Sequence, residues 1–128
     1  MSYYISTTFK GTFDEAIQKT TEELKKEGFG VLTEIDIKDT LKKKLDVDFK
    51  KYRILGACNP NMAHQALTTE DKIGTMLPCN VIVEEHEDGK VEISAVDPLA
   101  SMQVVENDDL KTIANQVKKM LTKVIQSL

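Results

Sequence analysis

The chain has 128 residues, 30% of them charged and 41% apolar, and a net charge of −4. That length suits a single domain, one that buries roughly two thirds of its unfolded surface and needs no disulfide or metal to fold. The negative charge argues against general binding to nucleic acid or anionic membrane; no apolar run approaches the ~18 residues of a membrane span; and two cysteines without a secretory leader predict reduced thiols in a cytoplasm.

Residues 3–9 alternate weakly and predict a first strand. Thr12 and Glu15 have the spacing of a capping box, in which a hydroxyl accepts the Glu15 amide and the carboxylate reaches back. Phe13, Ile17, Thr20 and Leu24 then share one helical face, and Gly28 and Gly30 end that helix. Residues 31–37 predict a second strand with Val31, Thr33, Ile35 and Ile37 on one side. Ile37, Leu41 and Leu45, spaced by four, predict a short helix over 38–45. A third strand spans 51–57. Asn59 is a good N-cap, and Pro60 suits the first helical position, where its missing amide would be unpaired anyway. Met62, Ala63, Ala66 and Leu67 give the new helix a narrow apolar side, and a further turn runs through 69–72 to Gly74.

Residues 79–86 and 90–96 predict a hairpin. A two-residue turn at Asp88-Gly89 would put Glu84 opposite Ile93. A three-residue loop, with Gly89 left-handed, pairs Val83 with Ile93 and Val81 with Ala95; it gathers apolar residues on one face and is preferred. Asp97-Pro98 turns the chain, and "MQVVE" predicts a last short strand. Asn107 caps the C-terminal helix, with Asp108 and Asp109 at its positive end. From Leu110 through Ile113, Val117, Leu121 and Val124 to Leu128 an apolar stripe runs its full length. This order predicts an α+β two-layer sandwich, with a mainly antiparallel sheet and the N-terminal and long C-terminal helices on one face. The other face is left for the 59–74 excursion or a second subunit.

Three stretches, "YRILGACNPNMAHQAL", "IGTMLPCNVIVEE" and "SAVDPLASM", together resemble the bacterial and archaeal family catalogued as domain of unknown function 302. The pattern rests here on Gly56, Cys58, Asn59, Pro60, Ala63, Leu77, Pro78, Asn80, Asp97 and Pro98. The resemblance covers nearly the whole chain. It implies a compact α+β fold and homodimers, and it implies no activity.

Cys58 is the leading chemical candidate. It lies just before a predicted N-cap, where the positive end of a helix dipole can lower a thiol pKa and so favour a nucleophile, a redox group or a metal ligand. The commoner role of a free cysteine is a small buried apolar residue. Cys79 can meet Cys58 only if the strands carrying them are antiparallel. Adding His64 gives a set with zinc-type ligands but no zinc spacing; His64 and His86 are both expected on exposed surface. No P-loop, G-x-G-x-x-G or G-x-S-x-G motif occurs, and neither a cofactor nor a metal is specified.

Gly56 could leave a slot beside Cys58, to which Asn59, Asn80 and Asp97 would offer polar groups. The ordinary work of such Asn and Asp residues is capping. Residues 38–53 hold seven basic and three acidic residues, a segment suited to an anionic partner or simply to a solvated face. The leading reading is a cytoplasmic homodimeric small-ligand-binding module with no catalytic activity of its own, with its site at Gly56, Cys58, Asn59, Asn80 and Asp97. The alternatives are a thiol-dependent redox, sulfur-transfer or metal-binding protein using Cys58, with or without Cys79, and a pure protein-interaction module.

Overall fold

The computed structural model describes residues 2–128. Five strands form one antiparallel sheet: β1 (Tyr4–Phe9), β2 (Gly30–Asp36), β3 (Tyr52–Cys58), β4 (Cys79–Glu85) and β5 (Val91–Val96), in the order β1-β5-β4-β3-β2. Five α-helices accompany them: α1 (Phe13–Lys26), α2 (Ile37–Leu45), α3 (Pro60–Thr69), α4 (Pro98–Ser101) and α5 (Asp108–Gln126). A 3₁₀ turn (Asp71–Met76) follows α3. The architecture is α+β, with helices packed on a sheet, as the element order predicts.

The local signals act as the residues dictate. Thr12 and Glu15 close the capping box at 3.1 and 3.0 Å. Gly28 takes φ +84° just past α1, a conformation that costs glycine little. Strand alternation places Leu55, Val81, Val83, Ile93 and Ala95 on one face of the sheet. There they meet Phe13, Ala16 and Leu24 of α1 and Leu121, Val124 and Ile125 of α5 in one continuous core. The hairpin takes the three-residue register: Val83 pairs with Ile93 and Val81 with Ala95.

Three expectations are corrected. "MQVVE" forms no strand: Met102 caps α4 and is buried among Ile73, Leu110 and Ala114, whereas Val104 is exposed. Val31 and Thr33 do not share a side. A register shift separates them, so Val31 pairs with Ala57 and Thr33 with Gly56, and Ile37 already belongs to α2. Finally, the 59–74 excursion does not cover the second sheet face. α3 packs on α5 instead, with Met62 in the core that α1 and α5 form, which extends the existing helical layer. The opposite face, carrying Tyr4, Tyr52, Ile82 and Ser94, has no helix over it among the described residues.

Candidate functional site

Because β3 and β4 are antiparallel, the end of one and the start of the other share a sheet edge. Ala57 pairs with Cys79 there, and Cys58 with Gly30. α3 starts at this corner. Asn59 is extended, its Oδ1 accepts the Met62 amide at 3.3 Å, and Pro60 occupies the first turn. The chain leaves the sheet through α3 and the 3₁₀ turn and returns through Leu77-Pro78. This excursion stands off the sheet and leans on α5, with Ile73 and Ala66 anchoring it against Leu110 and Ala114.

Between the excursion, α5 and the sheet edge lies a cavity of about 310 Å³. Met62 and Ala66 of α3, Ile113 and Val117 of α5, and Leu77 and Met102 give it an almost wholly apolar wall; Cys58 and Cys79 sit where the sheet edge meets it. Leu32 and Leu67, both largely exposed, form its lip. Both thiols are free, Cys58 half-buried and Cys79 buried. Burial pushes the Cys79 thiol up to about 11, and the neighbouring Cys58 adds to the shift. Cys79 is therefore a neutral, apolar part of the wall near neutral pH.

Of the five residues expected to form a ligand site, the structure brings two, Cys58 and Asn59, to the cavity. Asn59 is committed to structure: besides capping α3, its Nδ2 donates to the Glu27 carbonyl at 3.2 Å, tying α3 to the end of α1. Gly56 leaves no slot. A side chain there would collide with Thr33 Oγ1 and come within 2.9 Å of Pro78 Cγ, so the glycine lets two neighbours close over the strand. Asn80 points to the helix-free face of the sheet, next to Ile82 and Ser94. Asp97 is buried and fully engaged. Its Oδ1 accepts the Leu99 and Ala100 amides at 3.0 and 3.2 Å to start α4, and its Oδ2 meets Lys118 at 3.0 Å.

His64 is exposed on α3 and does not group with the cysteines among the described residues. His86 is less open than expected, because its Nε2 lies 2.9 Å from Glu92 Oε1. The basic segment is largely matched within the chain: Lys42 meets Asp46 and Asp48, Lys43 meets Asp39, and Arg53 meets Glu34 and Asp36. That is the pattern of a solvated face. Sequence reasoning missed the helical side of the cavity. Met62, Ala63, Ala66 and Leu67 were legible as an apolar stripe, but nothing local told that the stripe faces a gap.

A family model described as "Domain of unknown function DUF302" matches residues 5–128. The chain belongs to the DUF302 family. Its fold is similar to that of a solved DUF302 relative, the uncharacterized conserved protein DUF302 from Bacillus stearothermophilus, at a TM-score of 0.92 and 28% identity over 98% of both chains. No curated protein matches the sequence. DUF302 membership goes with the fold and leaves the cavity's occupant to be argued from chemistry. No helix among the described residues is long and apolar enough to cross a membrane.

Proposed function

We propose that this DUF302 protein is a cytoplasmic binding module for a small, predominantly apolar ligand, held in the cavity between α3, α5 and the Cys58–Cys79 edge. One observation carries the reading: the cavity wall is apolar almost throughout, although it opens beside a sheet edge and two helix starts, where polar groups are usually plentiful. Those polar groups are turned away. Asn59 caps α3 and donates to the Glu27 carbonyl just past α1, while Asp97 caps α4 and pairs with Lys118. A volume of about 310 Å³ is at the small end of ligand pockets and about twice that of an engineered apolar cavity that takes benzene. The working unit is a homodimer, a reading supported by the helix-free sheet face with its Tyr3, Tyr4 and Ile35. A monomer at every concentration in sedimentation equilibrium would remove that part.

The test is a homologous series of 1-alkanols displacing the fluorophore 1-aminoanthracene. Each added methylene that is buried contributes about 0.8 kcal/mol, so affinity should rise about fourfold per carbon and then level off when the cavity is full. Ala66→Phe, which places a ring in the wall, should abolish displacement while the protein stays folded by circular dichroism. Displacement that neither depends on chain length nor responds to Ala66→Phe would sink the proposal.

A second reading rests on a different observation. Cys58 is half-buried on the cavity wall, beside a second thiol. It supports thiol chemistry on a ligand already bound there.

A further inference from the structure

At the far end of β4, away from the cavity, the hairpin places Glu84 directly opposite Glu92. His86 follows Glu84 by two residues and so stands on the same face of the ribbon. Like charges facing one another across two strands are unfavourable. Here they are also partly sheltered, with the Glu84 side chain 13% exposed and the Glu92 side chain 31% exposed. The fold compensates with Lys50, whose ammonium is 2.7 Å from Glu84 Oε1, and with His86. With a neutral imidazole, two carboxylates against one ammonium leave the cluster one negative charge.

One donor atom from each of Glu84, His86 and Glu92 can be chosen so that all lie within 4.8 Å of one another. This is the one group of three or more such side chains among the described residues. The 2.9 Å between His86 Nε2 and Glu92 Oε1 is somewhat under the edge of a tetrahedral shell, about 3.4 Å for bonds near 2.1 Å, so the two side chains would part slightly to admit an ion. An imidazole with two carboxylates is a donor set for divalent transition metals of the zinc type. Glu84 and Glu92 stand on paired strands whose register is fixed by the buried Val83 and Ile93, and His86 directly follows β4 with its amide donating to the Lys90 carbonyl at 2.8 Å, which limits the ordering cost of binding.

We propose that Glu84, His86 and Glu92 form a site for one divalent cation of this class, on the helix-free side of the sheet. Lys50 is the resident counter-ion that the metal displaces. The site is independent of the cavity and of the ligand reading above.

The test uses Co²⁺ as the probe on the full chain, followed by the imidazole proton resonances and by absorption. The two histidines make an internal control: substoichiometric Co²⁺ should broaden His86 and leave His64 sharp. His86→Ala and Glu92→Gln should each weaken binding by at least about tenfold, the loss usual for a damaged metal site. Lys50→Met should tighten it, because the competing ammonium is gone. The prediction for Lys50→Met is a gain of function, so misfolding cannot mimic it. Parallel broadening of His64 and His86 would show adventitious imidazole binding only and would overturn the proposal. So would a thiolate-to-cobalt charge-transfer band near the ultraviolet edge, which would move the metal to the cysteines, or an affinity that Lys50→Met leaves unchanged or weakens.

Discussion

The two ends of β4 solve opposite problems. At Cys79 the strand begins in an apolar corner where Asn59 and Asp97 have been turned to capping, and ionisation of the thiol is suppressed. At Glu84 and His86 it ends among charges that face each other and are held in check by Lys50. The first end depends on packing and is insensitive to salt. The second depends on Coulombic balance on a partly wet surface, where each ion pair contributes little. One strand of Cys79–Glu85 therefore joins two chemically unlike surroundings. The difference teaches that a single strand is held by packing at its cavity end and by charge balance at its hairpin end.

Three measurements sharpen or break that contrast. The largest effect is expected at the packed end. Ile73 is 2% exposed and pins the 3₁₀ turn against Leu110 and Ala114. Ile73→Ala should destabilise by roughly 2–5 kcal/mol in urea titrations, and should loosen α3 in hydrogen exchange before the sheet. An effect below about 1 kcal/mol, against the core range just given, would mean the excursion is not anchored as described.

Next comes pH. The Cys79 thiol ionises at about 11 in the folded protein, up from its ordinary value near 9. The unfolded chain thus loses this proton first as pH rises. Stability from this group is intact below about 9 and declines between 9 and 11, with a limiting slope of roughly 1.4 kcal/mol per pH unit. Cys79→Ala should remove that decline. Iodoacetamide near neutral pH should label Cys58 well ahead of Cys79, as read by mass spectrometry. Equal labelling of the two in folded protein would contradict the sealed end.

The smallest effect lies at the hairpin. Lys50→Met without added metal should cost up to about 1 kcal/mol at low salt, and Glu84→Gln on top of it should restore most of the loss. Added salt should shrink the Lys50→Met penalty. A penalty independent of salt would place the effect in packing against Tyr52, over whose ring the Lys50 ammonium lies at 5.9 Å.

What the sequence disclosed follows the range of the forces involved. Caps are local, so Thr12, Asn59 and Asn107 could be read directly, and all three bond the amides expected of them. The hairpin register followed from burial alternation alone. It also implies Glu84 opposite Glu92, with His86 on the same side, so that cluster is within reach of the sequence and escapes it only because His86 is expected to be exposed. The cavity was not within reach. It is the space left where α3 leans on α5, and no residue spacing encodes a gap between segments distant in sequence. The misread "MQVVE" shows the same limit from the other side. A short apolar run fits either period, and only the buried partners of Met102 decide it.

The register shift between Val31 and Thr33 has a consequence beyond the lip of the cavity. β2 is an outer strand of the sheet, and an outer strand offers unpaired amides and carbonyls to any extended chain that drifts by. The shift puts those groups out of step after the first residues, and Glu34 and Asp36 add charge further along. An incoming strand could not dock along the whole of this edge, so the same irregularity that exposes Leu32 beside the cavity also guards the sheet against growing into a fibre.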